Sequence, residues 1–300
     1  MPVINNVGVS DNTPKKQKTL QSILDVHTRI VGKIINKPNS LRYAEPHYLY
    51  IDLNSGPGKY GDIDGSPLVF KNTANANRVP YIAILSEINK NNCDSLGVET
   101  SAESGSYCHE CGSQLLKSSN VTSCFLNGGG WGIICNEDNT VTLDSVIDHY
   151  RNETIKKPYG MVYVDPNNHE ARFKHLETLF ANNRMRYLDL LIHVSGTIIK
   201  RLLHTNTTER IIESISGINK KYWLIRKPYS CWQWTFLLGT NWDGFPEFKN
   251  LDFVHVESEE GQEYLKLINN TREELQLQKP IQTTSSILNT RFSGLSEARL

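Results

Sequence analysis

The sequence predicts an α/β fold with a Rossmann-like, mostly parallel sheet covered by helices on both faces. Three observations carry that prediction. Residues 48–51 (Tyr48, Leu49, Tyr50, Ile51) form a short apolar and aromatic run that stops at Asp52, and a turn with Gly56, Pro57 and Gly58 follows at once. A second run, residues 81–86, ends in Glu87. Apolar runs of strand length then alternate with stretches of helical periodicity, the pattern of parallel strands joined by crossover helices. A strand that ends in an acid and a glycine turn is how doubly wound sheets build a ligand crevice, because glycine lets the backbone approach the ligand closely.

Taken in order, residues 1–14 are polar and expected to be flexible. The main domain is expected over 15–275. Residues 15–35 place Leu20, Ile23, Leu24, Val26, Ile30, Val31, Ile34 and Ile35 at amphipathic helical spacing. Lys37, Pro38, Asn39 and Ser40 break that helix before the first strand. After the glycine turn, Ser66 and Pro67 suit a helix start, with Ser66 as N-cap and Pro67 in the first helical position. Residues 97–158 are the least regular part and read as a Cys-containing insertion. They include a short strand near 121–126 that closes in Asn127, Gly128, Gly129 and Gly130, and a helix over 141–150. Residues 159–164 form a strong strand stopping at Asp165 and Pro166. A helix over 170–182 follows, capped by Asn167 or Asn168, then a strand over 188–194 and a helical stretch over 196–203. Late strands are expected at 221–226, 234–238 and 251–256, with Ser258 capping a closing helix. Residues 276–300, rich in Thr and Ser, are expected to be a mobile tail.

Composition narrows the class. The 300 residues suffice for one large or two modest domains with a real core, and 38% hydrophobic with 21% charged residues describes an ordinary soluble protein. Thirty-two basic and thirty-two acidic residues cancel, so no global basic field holds nucleic acid nonspecifically, although a local basic groove stays open. No apolar run approaches the length of a membrane span, and the N-terminal residues lack the order of a secretory signal. The expected location is the cytoplasm, with the six cysteines reduced or bound to metal.

The chemistry-bearing residues sit at strand ends. Gly61 follows Gly58 by three residues but in a Lys59-Tyr60-Gly61 context, so the dinucleotide fingerprint is not met and a nicotinamide oxidoreductase is disfavoured. S-adenosylmethionine remains open, as does a plain structural turn. Glu87, closing the second strand, is placed to accept from ribose hydroxyls, or is simply a solvated strand-end acid. Asp165 to Asn168 either face a ligand or cap a helix.

Tyr50-Ile51-Asp52-Leu53-Asn54-Ser55-Gly56-Pro57-Gly58-Lys59-Tyr60, followed by Gly65-Ser66-Pro67-Leu68, resembles the first motif of the three-Cys-motif partner family. Val162-Tyr163-Val164-Asp165-Pro166 is similar to that family's later Asp-Pro strand. The resemblance covers about residues 15–205. It departs at Leu53-Asn54-Ser55 and at Asn167-Asn168, where the family carries Phe-Ala and Phe-Gly. It implies a class I S-adenosylmethionine-dependent methyltransferase fold with a mostly parallel seven-stranded sheet, in a family of bacteria and their phages. It further implies that Asp52, Asn54, Ser55, Gly56, Pro57 and Gly58 wrap the methionine end of S-adenosylmethionine. Glu87 then takes the ribose, Asn127 and Gly128 meet the adenine, and Asp165, Pro166 and Asn167 face the transferred methyl. The implied activity is methyl transfer to nucleic acid, DNA or RNA, at an exocyclic amino nitrogen. There an Asp-Pro segment orients the amine by accepting its hydrogens, and the base is taken out of any duplex. Asn167 and Asn168 cannot stack on a base as an aromatic does. A catalytically inactive module that binds a partner protein or nucleic acid is therefore the alternative.

Two further patterns carry expectations. Cys108, Cys111, Cys124 and Cys135 offer four ligands for a structural zinc, although only the first two form a close pair. Cys124 and Cys135 lie in apolar stretches that equally suit packed free thiols. Trp223, Trp232, Trp234 and Trp242 cluster in sequence with Tyr222, Tyr229 and Phe236 near Lys220, Lys221, Arg226 and Lys227. That composition serves a nucleobase platform or, more simply, a hairpin that packs its rings inward. His169, beside the Asp-Pro turn, is either a base or a surface residue.

Overall fold

The computed structural model describes residues 12–37, 44–104, 120–127, 129–152, 156–165, 173–196, 215–229, 234–243 and 245–269. The helices are α1 (Thr13–Ile35), α2 (Ser66–Ala76), α3 (Lys90–Thr100), α4 (Asn139–Arg151), α5 (Phe173–Ala181), α6 (Phe245–Lys249) and α7 (Glu259–Asn269). The strands are β1 (Ala44–Asp52), β2 (Lys59–Tyr60), β3 (Ile63–Asp64), β4 (Tyr81–Ser86), β5 (Glu103–Ser104) and β6 (Val121–Asn127). They continue with β7 (Gly130–Cys135), β8 (Lys157–Val164), β9 (Leu188–Ser195), β10 (Tyr222–Arg226), β11 (Trp234–Thr240) and β12 (Phe253–His255).

Among the described residues, ten strands form one mixed sheet in the order β12-β10-β11-β9-β8-β1-β4-β7-β6-β5. The five central strands, β9-β8-β1-β4-β7, are mutually parallel, and antiparallel pairs extend both edges. The expected seven-stranded sheet is thus corrected to a larger, mixed one. From β1 the chain moves outward through β4 and β7, then returns to the other side of β1 through β8 and β9. The order reverses between β1 and β8, and such a switch point opens a crevice at the carboxyl ends of the strands.

The parallel strands are buried on both sides, and their side chains alternate between two cores. Tyr48, Tyr50, Met161, Tyr163 and Leu191 pack with α1, α2, α3 and α6; Leu49, Ile51, Val162, Val164, Leu190 and Ile192 pack with α4, α5 and α7. Period-2 alternation carries Asp52, Asp165 and His193 onto the α1 face, at the carboxyl end. At the opposite end, under α1, lies a closed polar network. Tyr48 Oη is 2.7 Å from His27 Nδ1, His27 Nε2 is 2.9 Å from Asp189 Oδ2, and Trp242 Nε1 donates to the same oxygen at 2.6 Å. His27, Tyr48 and Asp189 are buried and Trp242 is half-buried; Asp189 Oδ2 is shared by two donors, while Asp189 Oδ1 is buried without a partner.

Two further sequence expectations change. The strand expected near 121–126 does not join the parallel set. It forms an antiparallel hairpin with β7, and β7 is the strand that pairs with β4. Glycine disguised β7 in the sequence. A Cβ at Gly130 would stand 2.3 Å from the Tyr81 ring and one at Gly132 would stand 2.3 Å from Phe125, so these glycines mark close approach within a strand. A central strand therefore lies inside the stretch expected to be an irregular insertion. The second change is at α2, where Gly65 is the N-cap and Ser66 already lies in the helix. The Ser66 hydroxyl is bonded instead to Asp52. Ser258 does cap α7, its hydroxyl accepting from the Gly261 N–H at 3.1 Å.

Candidate functional site

The candidate site begins at the turn after β1. Gly56 and Gly58 have φ of +63° and +85°, the left-handed region that glycine enters without strain. Three backbone ties hold the turn to its neighbours. Leu53 N–H donates to Tyr163 O, Ser55 N–H to Ser86 O, and Gly56 N–H to Glu87 Oε2, at 3.1, 3.0 and 2.9 Å. Glu87 also accepts from Asn89 N–H through Oε1 at 2.7 Å. Its carboxylate therefore clamps the glycine turn and opens α3. Ile88, beside it, is 70% exposed, an unusual position for a large apolar side chain.

Asp52 is fully buried. Burial pushes its carboxyl up to about 7 against the hydrogen bonds from Ser66 and the Asn54 N–H; the Asp165 charge adds to the rise, and Tyr50 opposes it. The Asn54 N–H reaches Oδ1 at 3.1 Å and the Tyr50 hydroxyl reaches Oδ2 at 3.2 Å. Beside it, Asn54 Oδ1 is a buried acceptor without a donor. Tyr60 covers the turn: a Cβ on Gly56 would stand 2.5 Å from its hydroxyl. Burial pushes the Tyr60 phenol up to about 12, and the charges of Asp165, Glu87 and Asp52 add to the rise.

Asp165 follows β8 and has two charged or chargeable partners. Lys16 Nζ lies 2.7 Å from Oδ2, and His193 Nδ1 lies 2.7 Å from Oδ1. Burial acts to raise its pKa, but Lys16 and His193 outweigh burial and hold it well below the usual carboxylate range. Lys16 stands in the first turn of α1, where a cation opposes the helix dipole. The ion pair with Asp165 compensates. Burial lowers the His193 pKa, as does Lys16, while Asp165 raises it, with a net fall.

The structure brings Asp52, Asn54, Ser55, Gly56, Pro57, Gly58, Glu87 and Asp165 to one end of the sheet. It does not bring Asn127 there. Asn127 pairs with Gly130 at the start of β7, whereas Cys135 pairs with Ser86 at its carboxyl end. The expectation that Asn127 meets adenine beside Glu87 is corrected, since it rested on the wrong strand of a hairpin. The residues that close β7 are Asn136 and Glu137. Asn136 Nδ2 donates to Glu87 O and Ile88 O at 3.1 and 3.0 Å, bracing the acidic loop. Gly128, Pro166, Asn167, Asn168 and His169 lie outside the described residues.

Sequence reading missed Lys16, Tyr60, Asn136 and His193. Recognising the Gly130–Cys135 strand would have drawn attention to Asn136. Nothing local marks Lys16 or His193, which reach Asp165 only through the tertiary fold.

Cys108 and Cys111 lie outside the described residues. Cys124 and Cys135 are 8% and 0% exposed and pack in the core with α4. Among the described residues, no group of three or more His, Cys, Asp or Glu is gathered to hold a metal ion. Trp234 and Phe236 are buried against His193, with ring centroids at 5.9 and 5.4 Å, and Tyr229 stacks on Trp234. The inward-packing reading of the aromatic hairpin describes these rings; Trp232 lies outside the described residues. No helix among the described residues is long and apolar enough to cross a membrane. Compared with known proteins, the sequence matches no family model and no curated protein.

Proposed function

We propose that the protein is an S-adenosylmethionine-dependent methyltransferase of the three-Cys-motif partner kind, acting on nucleic acid. The observation that carries this reading is the convergence of Asp52, the Gly56-Pro57-Gly58 turn and Glu87 at the carboxyl ends of β1 and β4, beside the switch point between β1 and β8. Within the sheet, β7-β4-β1-β8-β9-β11-β10 form a contiguous seven-strand unit in which only β11 runs against the rest. That unit supports the class I methyltransferase fold as the finer description.

The donor and acceptor set fits the cofactor. Asp52 and the unpartnered Asn54 Oδ1 are acceptors suited to its ammonium group, and Glu87 is suited to a ribose diol. Exposed Ile88 offers apolar surface for a base. When bound, S-adenosylmethionine supplies an electrophilic methyl group. The chain's own residues do the positioning: the glycine turn admits a close-lying ligand, Glu87 fixes that turn, and Tyr60 shields it from water. In this reading a basic side chain near the reaction site, Lys16, is committed to Asp165 and is not a phosphate contact.

A non-catalytic binding module is the second reading. The observation that favours it is that both oxygens of Asp165 already hold Lys16 and His193, which leaves that carboxylate poorly placed to orient an amino group. Isothermal titration of S-adenosylmethionine into the intact protein and into Asp52→Ala separates the readings. Binding in the micromolar range, weakened at least tenfold by Asp52→Ala, is expected. No binding by the intact protein refutes the enzyme. Tight binding without transfer of labelled methyl to DNA, RNA or protein favours the module.

A further inference from the structure

At the carboxyl ends of β8 and β9, a second set of groups lies beyond those assigned to the cofactor. His193 is 9% exposed, and its Nδ1 faces Asp165 Oδ1 at 2.7 Å. Its other nitrogen, Nε2, is buried and has no hydrogen-bond partner. Buried polar atoms without partners are scarce in native interiors and call for an explanation.

The surroundings fix the state of the ring. Asp165 is ionised and can only accept, so the proton sits on Nδ1 and a lone pair is left on Nε2. Burial keeps a second proton off the imidazole, and Lys16, from α1, adds its positive charge to that effect. Asp165, from β8, is the carboxylate that faces it. β11 presents the rings of Trp234 and Phe236 and no charge. A carboxylate that orients a neutral imidazole, with the far nitrogen unprotonated, is the arrangement of a general base. Lys16 by itself would pair with Asp165; an unpartnered Nε2 is surplus to a purely structural ion pair.

We propose that His193 is the proton acceptor of this site and Asp165 its positioning residue, so that the group acted on reacts only as it gives up a proton, as a hydroxyl does. The nature of the reaction rests on the methyltransferase reading above; the state of the imidazole does not. In the step assigned to His193, the substrate O–H bond breaks and its electron pair stays on oxygen. An N–H bond forms at Nε2, and the resulting imidazolium is stabilised by Asp165 through Nδ1–H. The proton then leaves to water. An amino nitrogen attacks with its own lone pair and needs acceptors for its hydrogens, a service that Asp165, with one oxygen held by Lys16 and the other by His193, is ill placed to give.

Nuclear magnetic resonance of the intact protein labelled with 15N-histidine tests this directly. His193 is expected to be neutral at pH 7, protonated at Nδ1 and bare at Nε2. In Asp165→Asn the single amide oxygen is drawn to Lys16, leaving the amide N–H toward His193, so the tautomer should switch to Nε2–H. An imidazolium at pH 7, or an Nε2–H tautomer in the unmodified protein, overturns the proposal. His193→Asn keeps a donor for Asp165 and removes the Nε2 lone pair. Its affinity for S-adenosylhomocysteine, measured by calorimetry, is expected within threefold of the unmodified protein. A loss of more than tenfold means that His193 holds the cofactor and overturns its role as base. If the unmodified protein fails to bind S-adenosylhomocysteine, the methyltransferase reading falls, while the tautomer measurement still decides the state of His193.

Discussion

Replacing Asp52 by Asn should make the protein more stable, and increasingly so as pH rises. Asp52 is fully buried and its pKa is pushed from an ordinary 3.8 to about 7. A carboxyl with a raised folded-state pKa contributes its full stability below the unfolded value, and that contribution is lost as pH climbs through the folded value. Between those limits the unfolded chain has released the proton and the folded chain retains it, so stability falls by about 1.4 kcal/mol per pH unit. Across the whole interval the cost approaches roughly 4 kcal/mol, of which about 2.5 kcal/mol accrues between pH 5 and pH 8. Asn cannot ionise, yet it keeps an oxygen for the Asn54 N–H that now bonds Oδ1. Urea denaturation of both proteins at pH 5, 6, 7 and 8 isolates the effect, because every other titrating group is common to the pair. The stability difference should widen by about 2–3 kcal/mol over that range. Parallel pH profiles would refute the argument and mean that Asp52 is ionised at little cost. The same property serves the proposed site: an acid poised near neutrality is retained at some loss of stability where a cationic ligand group completes it.

Three further outcomes follow from the geometry. Glu87→Gln removes one of the two acceptor oxygens that hold Gly56 N–H and Asn89 N–H. S-adenosylmethionine affinity should fall about 10- to 100-fold, the worth of a charge-assisted hydrogen bond, and unchanged affinity by calorimetry would remove Glu87 from the site. Asp189→Ala strands His27 Nε2 and Trp242 Nε1 in the interior; the expected loss is about 3–5 kcal/mol in urea denaturation, and a loss below about 1 kcal/mol would show the network to be dispensable. Cys135, fully buried with its thiol pushed up by burial, should resist a thiol reagent until the chain unfolds; labelling of Cys135 at the rate of an exposed thiol, read by mass spectrometry, would contradict its place in the core.

Where local signals and tertiary contacts agreed, the sequence was readable. The 48–52 run, the 159–164 run and the amphipathic spacing of α1 each specify an element through a period of their own. Asp52 and Glu87 stand out because an acid closing an apolar strand is a local pattern, and at Asp52 a glycine turn follows within a few residues. Ser66 was misassigned as a cap because its residue type favours caps, whereas its hydroxyl goes to a carboxylate fourteen positions earlier that no local rule connects to it. Asn127 was misplaced for a related reason. Three consecutive glycines read as the end of a strand, and only the Tyr81 and Phe125 rings explain why Gly130 and Gly132 continue as one.

By itself the sequence determined the alternation of strands and helices, the glycine turn after β1 and the acids that close two strands, since each depends on residues a few positions apart. The tertiary structure alone decided which strand lies third in the parallel set, that the sheet is mixed and ten strands wide, and that Lys16 and His193 meet on Asp165. Lys16 and Asp165 are 149 positions apart. An interaction of that range exists only after the sheet order has brought α1, β8 and β9 together, because side-chain periodicity fixes which face a residue takes but not which strand becomes its neighbour.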